Sequence, residues 1–314
     1  MVGRRVGIVG AGFVGATAAY SLTMTGRCHE VVLYDINSDL AKGKAIDIGQ
    51  STSYSVRGTI VTAAEDAKDL KDCDIIVVTA GVPRKSDMTR ADLLMINAKI
   101  MKDVVGNIMK YSPNAIIICV SNPLDIMTYV IHKMTGWNRN RIIGMAGALD
   151  GARMAYQINQ KVGYGSGQTR AMLIGDHGQN MIPLPEISAV GGVPLDQIVT
   201  KEDMEDIIAR TKDGGAEIVK YLGTSAYYAP GRAISVMVEA ILDDSRIVMP
   251  SSVMLDGEYG YRDITVGVPV VLGANGVEKI IELELDEETK AKFKISVDSI
   301  QDGIDILKEN DFFV

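Results

Sequence analysis

The stretch that decides the fold is Val6–Gly15, VGIVGAGFVG. An apolar run, Val6 to Val9, leads straight into Gly10, Gly12 and Gly15, and a small-residue apolar segment from Phe13 to Met24 follows. The order is strand, tight turn, helix. The three glycines match the G-x-G-x-x-G fingerprint of a dinucleotide-binding βαβ unit. In such a unit Gly10 allows the turn, Gly12 lets the main chain approach a pyrophosphate, and Gly15 lets the helix pack close to the strand. The phosphates sit at the positive end of the new helix, on the unpaired N–H groups around Phe13 and Val14. Twenty residues after Gly15, Asp35 closes a second apolar run, Val31 to Tyr34. An acid there accepts hydrogen bonds from the adenosine ribose hydroxyls and repels the extra phosphate of NADP, which points to NAD.

Outward from this stretch, strands and helices alternate. Asn37 is an N-cap type that opens a helix to about Gln50. Thr59–Ala63, Asp74–Ala80, Ala115–Val120 and Arg141–Gly144 read as strands, and DIIVVTA and AIIICV have the continuous apolar character of strands buried on both faces. Thr89 caps a long helix to about Tyr111, and Leu124–Met134 is helical. This alternation predicts an α/β fold whose N-terminal part is a doubly wound parallel sheet of the Rossmann type. The second half reads as α+β. Helices are expected from about Leu149 to Val162, Glu202 to Leu222, Tyr227 to Leu242 and Glu287 to about Lys308. Strands are expected at Gln168–Ile174, Ile247–Leu255, Asp263–Val271 and Ile280–Leu285. The domains expected are 1–145, binding NAD, and 146–314, an α+β catalytic and substrate domain. With no linker or repeat between them, they are expected to share a wide interface, with a cleft at the carboxyl ends of the parallel strands.

The chain has 314 residues, 47% hydrophobic and 23% charged, with a net charge of −8. This is ordinary globular composition with no Lys/Arg run, which argues against nucleic acid and anionic membrane as partners. Cys28, Cys73 and Cys119 share no metal-ligand spacing and read as reduced thiols. The opening arginines followed by an apolar stretch mimic a signal peptide, but glycines interrupt that stretch and the fold needs it. No run has the length of a membrane-spanning helix. The expected location is the cytoplasm, and no metal is expected.

Three segments bring unusual polar residues to the strand-end edge. The loop Gly81–Arg90 leaves a buried strand and carries Arg84 and Arg90. A guanidinium suits a carboxylate because its planar fork pairs bidentately. Asp150 and Arg153 are three apart, on one face of a helix. His177 follows a strand within Gly175-Asp176-His177-Gly178, and histidine titrates near neutrality as general acid–base chemistry requires. Each segment also has an ordinary structural reading: a solvated loop, an intrahelical ion pair, a satisfied loop histidine. His29 and His132 have only that ordinary reading.

Taken together, GAGFVG with Asp35, the GVPRK–TR loop, Ser121-Asn122-Pro123, LDGAR (Leu149–Arg153) and GDHG (Gly175–Gly178) resemble the lactate/malate dehydrogenase family over essentially the whole chain. The likeness is to its malate dehydrogenases of the lactate-dehydrogenase-like branch. It implies reversible, NAD-dependent hydride transfer between malate and oxaloacetate. His177 would be the general acid/base and Asp150 would hold the other imidazole N–H. Arg153 would clamp the carboxylate beside the reacting carbon, and Arg90 would polarise the carbonyl as its loop closes. Asn122 would bond the substrate hydroxyl or the nicotinamide ribose region. Arg84 occupies the position that selects substrate in the family. A second buried guanidinium needs a second carboxylate, which oxaloacetate has and pyruvate lacks. Ala226 leaves room for the larger acid. Ser86-Asp87, Asp176 and Gln179-Asn180 depart from the usual pattern. The resemblance also implies a homo-oligomer, tetramer or dimer, for which Ala41, Ala45 and Ile48 offer an apolar face if they do not pack on the sheet. Rival functions are a lactate or other 2-hydroxyacid dehydrogenase, an NAD-dependent glycosidase and a non-catalytic NAD-binding protein.

Overall fold

The computed structural model describes residues 4–54, 58–83 and 88–313. The parallel part of the sheet uses β1 (Arg5–Val9), β2 (Glu30–Tyr34), β3 (Ile60–Ala63), β4 (Ile75–Val78), β5 (Ile116–Cys119) and β6 (Ile142–Gly144). Between them run α1 (Phe13–Thr25), α2 (Ser38–Ser51), α3 (Arg90–Tyr111) and α4 (Leu124–Thr135). Every residue of β4 and β5 is buried, as strands covered by helices on both faces must be. The parallel order is β3-β2-β1-β4-β5-β6. Val6 of β1 lies beside Val31 on one side and Ile75 on the other. Crossovers therefore leave β1 in opposite directions, and a crevice opens at its carboxyl end.

Local sequence sets the helix starts. Asn37 accepts the Leu40 N–H through its side chain at 3.1 Å and begins α2. Thr89 and Asp92 cap each other at the head of α3, each side chain taking the other's main-chain N–H at 3.0 Å. At the far end of α1, Gly26 takes the left-handed conformation and closes the last turn.

The second half begins with α5 (Ala146–Val162), followed by short strands β7 (Thr169–Arg170), β8 (Leu173–Ile174), β9 (Ile182–Pro183), β10 (Ala189–Val190) and β11 (Val193–Pro194). Then come α6 (Lys201–Leu222), α7 (Tyr228–Leu242), β12 (Ile247–Asp256), β13 (Arg262–Gly273), β14 (Gly276–Ile280) and α8 (Glu287–Glu309). Two expectations need correction. The strand expected at 168–174 is broken, because β7 pairs with β10 while β8 pairs with β9. Between them, Met172 turns to Ser188 and Leu184, with hydrogen bonds of 3.1 and 2.8 Å. The strand expected at 280–285 lies earlier, at 276–280, because the Ala274-Asn275 turn folds it straight back on β13. Past Ile280 the chain leaves the ladder for the Tyr259 hydroxyl, which donates to the Ile281 carbonyl and accepts the Leu283 N–H.

Strands β12, β13 and β14 continue the same sheet. β12 joins β6 antiparallel through Ser252 and Gly144, so nine of the described strands form one sheet. The core is likewise continuous, running from Val6 through Ile117 and Val238 to Leu307. A smaller cluster around Met154, Leu173 and Ile207 sits under α6. Ala41, Ala45 and Ile48 are buried within this chain, so the face of α2 offered as an interface is already covered.

Candidate active site

At the end of β1 the turn is held by two hydrogen bonds. The Gly10 N–H donates to the Tyr34 carbonyl at 2.7 Å, and the Thr79 hydroxyl donates to the Gly10 carbonyl at 3.0 Å. Gly10 sits at φ +106°, a left-handed value that favours glycine. A Cβ on Gly15 would lie 1.9 Å from the Gly10 carbonyl oxygen, so α1 approaches the turn as closely as glycine permits. Gly12 differs, because a Cβ there would meet no atom within 4 Å. The space above it is open, no side chain caps the N-terminus of α1, and its first turn carries no acid. These are the features of an anion cradle. Phe13 is exposed beside it and stacks on Tyr227, while Val14 is half-buried.

Asp35 ties the cradle to β2. One carboxylate oxygen accepts the Ala11 N–H at 2.7 Å and the other accepts the Asn37 N–H at 2.9 Å. Each oxygen keeps a lone pair for a ribose hydroxyl. The glycine turn and Asp35 are thus one unit, and the residues present fit a dinucleotide.

Across the edge, Asp150 and Arg153 stand on successive turns of α5. Asp150 is 2% exposed. One of its oxygens contacts His177 Nδ1 at 2.7 Å and the other accepts from Arg153 Nη1 at 3.0 Å. The histidine side chain itself is 14% exposed. Burial alone would lower the His177 pKa, but the charge of Asp150 and its hydrogen bond outweigh this and raise it. The His177 main-chain N–H donates to Asp125 at 2.8 Å. Burial pushes the Asp125 carboxyl up to about 6, and burial also raises that of Asp176, which accepts from the Asn180 amide at 3.0 Å.

Arg153, Asp150 and His177 are therefore in direct contact. Asn122 is exposed at the end of β5, where its carbonyl accepts from Asn97 at 2.7 Å. Asn97 also accepts the Val82 N–H at 2.8 Å, which joins the root of the 81–90 loop to Asn122. Arg90 is exposed on the first residue of α3, and no contact links it to His177 among the described residues. Arg84 lies outside the described residues. Ala226 is half-buried next to Tyr227. Asn97 and Asp125 were not among the expected site residues. Their signal was present: each is a polar residue amid an apolar helical stripe, Asn97 between Leu94 and Met101 and Asp125 between Leu124 and Ile126.

A dinucleotide cradle and a buried histidine paired with a carboxylate suit hydride transfer, and the chain is of that class, an NAD-dependent oxidoreductase. The model of the lactate/malate dehydrogenase NAD-binding domain matches residues 4–144, and that of the family's α/β C-terminal domain matches residues 147–310. The chain belongs to the lactate/malate dehydrogenase family. It is 56% identical to the malate dehydrogenase of Sulfurimonas denitrificans, over 99% of this chain and 98% of that one. Among solved structures, the malate dehydrogenase of Salinibacter ruber superposes with a TM-score of 0.93 at 41% identity, covering 97% of this chain and 98% of the other. The lactate dehydrogenase of Eimeria maxima with NADH and oxamate gives a TM-score of 0.93 at 34% identity, covering 99% and 97%.

Proposed function

We propose that this chain is a malate dehydrogenase in which His177 moves the substrate proton. The observation that carries the reading is the buried contact of 2.7 Å between His177 Nδ1 and Asp150, with Arg153 on the same carboxylate. Asp150 accepts the hydrogen bond of Nδ1–H and holds the ring in that tautomer, so Nε2 is left to accept the hydroxyl proton of malate and to return it to oxaloacetate. NAD, when bound, supplies the hydride acceptor. Arg153 binds the carboxylate next to the reacting carbon, and its bond to Asp150 aims the guanidinium. Arg90 polarises the carbonyl and Asn122 orients the hydroxyl. Arg84 recognises the second carboxylate. The glycine turn and Asp35 hold the dinucleotide. The names of the relatives support the choice of acid.

The test is initial-rate oxidation of NADH with oxaloacetate and with pyruvate. Oxaloacetate is expected to win in kcat/KM by on the order of 10⁴, since pyruvate leaves a desolvated cation without its partner. Arg84→Gln should shift the preference toward pyruvate. A higher kcat/KM on pyruvate would overturn the assignment.

The functional units are taken as 1–145 for NAD and 146–314 for catalysis. We also propose a cytoplasmic homo-oligomer, a tetramer or dimer. No helix of the described residues is long and apolar enough to cross a membrane. Tyr20 and Met24 on α1 and Ile46 on α2 are exposed apolar groups suited to a subunit contact, and sedimentation tests this.

A further inference from the structure

We propose that Asp125 is a positioning residue for His177, fixing the main chain of the histidine from the cofactor-binding half as Asp150 fixes its ring from the other. The inference rests on the reading of His177 as the proton carrier. Four contacts carry it. Asp125 stands in the first turn of α4 and is 5% exposed. One of its oxygens accepts the His177 N–H at 2.8 Å. Its own carbonyl accepts the hydroxyl of Thr265, a fully buried residue of β13, at 2.7 Å. Gly175, two residues before the histidine, exchanges both main-chain hydrogen bonds with Gly267 of β13, at 2.9 and 3.0 Å.

Helix α4, strand β13 and the histidine segment thus form one hydrogen-bonded knot. Downstream, Ser296 of α8 closes the segment by donating to the Asn180 carbonyl at 2.7 Å. Only Asp125 in this knot belongs to the first half of the chain. It is the member through which the position of His177 is set relative to the strand ends that hold the dinucleotide. A main-chain hydrogen bond to a buried carboxylate is charge-assisted and about twice as strong as a neutral one.

The second oxygen of Asp125 is buried without a hydrogen-bond partner among the described residues. The charged groups acting on His177 are Asp150 and Arg153 from α5 and Asp125 from α4, with Asp176 beside it in its own segment. The negative charge of Asp125 adds to that of Asp150 in favouring the imidazolium. Asp125 therefore has two separable effects, one of placement through its oxygen and one of charge.

The experiment compares Asp125→Asn, Asp125→Ala and His177→Asn. His29, His132 and His177 are the three histidines, so NMR titration of the imidazoles is tractable and His177→Asn identifies the signal. The alanine variant is expected to lose about ten- to hundredfold in kcat with the KM for NADH unchanged, because the histidine is misplaced. The asparagine variant keeps an acceptor oxygen and should recover most of that loss, while its His177 titrates at lower pH than the parent. Parental kcat in Asp125→Ala overturns the proposal, and if that variant does not fold, a kcat in Asp125→Asn more than about a hundredfold below the parent overturns it, since asparagine keeps the acceptor oxygen. A different result marks failure of the underlying reading: parental turnover by His177→Asn would refute the acid/base role while leaving the titration comparison intact.

Discussion

Replacing Asp150 by asparagine isolates the charge at the centre of the site. The carboxylate is 2% exposed and holds two partners, His177 Nδ1 at 2.7 Å and Arg153 Nη1 at 3.0 Å. Asparagine keeps the shape, removes the charge and has one acceptor oxygen, so one contact becomes a weaker bond to a neutral group and the other sets an NH2 donor against a donor. A hydrogen bond to a charged group contributes about 1.5–3 kcal/mol and a neutral one about 0.5–1.5. The loss is largest where the proton resides on the ring, since imidazolium then lies buried without its counter-charge. Breaking a buried pair in this way costs about 3–5 kcal/mol, which corresponds to about 10²- to 10⁴-fold in kcat/KM for oxaloacetate. KM should rise as well, because Arg153 loses the group that aims it. The assay is NADH oxidation as a function of pH, with thermal unfolding measured in parallel. Because the folded His177 pKa is raised from 6.5, the pair stabilises the fold below that value and the contribution disappears as pH climbs through the folded pKa. The variant should therefore lose more stability, relative to the parent, in mild acid than in base. Activity within about fivefold of the parent would refute the reasoning, since a buried charge pair cannot be that cheap to break.

Other perturbations separate fold from site. Gly15→Ala places a methyl 1.9 Å from the Gly10 carbonyl and should cost several kcal/mol of stability by thermal melt, on the order of a severe overpacking mutation. Gly12→Ala meets no protein atom within 4 Å, so its melting temperature should stay at the parental value while its KM for NADH rises at least about tenfold. Asp35→Ser removes the acceptor that holds the Ala11 and Asn37 N–H groups, and kinetics with both reduced dinucleotides should show the NADH-to-NADPH preference narrowing sharply. His132 is 7% exposed, and burial pushes its pKa down from 6.5 to about 4. The unfolded chain therefore takes up a proton first as pH falls, and about 3 kcal/mol of stability should be lost by pH 4. His132→Gln should flatten that acid limb in a plot of unfolding free energy against pH.

Much of the first half was legible because its signals are local. Gly12 and Gly26 bracket α1, Asn37 and Thr89 announce α2 and α3, and the all-apolar runs at 75–78 and 116–119 can only be buried strands. In the second half the decisive partners are distant in sequence. Nothing near residue 170 says that the chain changes sheets after Arg170, and nothing near 281 says that a tyrosine hydroxyl will take over from the ladder. The site divides in the same way. Asp35 and the glycines share one short βαβ unit, so their spacing is informative. His177 and Asp150 were paired by resemblance to a family, and no periodicity places them at 2.7 Å. Asn97 and Asp125 show in the sequence only as polar residues on apolar helix faces; the main-chain partners they take are set by tertiary folding.

The seam between β6 and β12 has a consequence for synthesis. Gly144 and its partner Ser252 are more than a hundred residues apart in the chain. As translation proceeds from the N-terminus, the outer edge of β6 emerges long before the strand that covers it. At a rate of about 5–20 residues per second, the interval is on the order of ten seconds. During it the nascent sheet carries a free edge, the feature through which growing chains on neighbouring ribosomes pair with one another. β6 is three residues long, the shortest strand in the parallel set, and offers little to pair with. Its brevity protects the polypeptide while it is still being made.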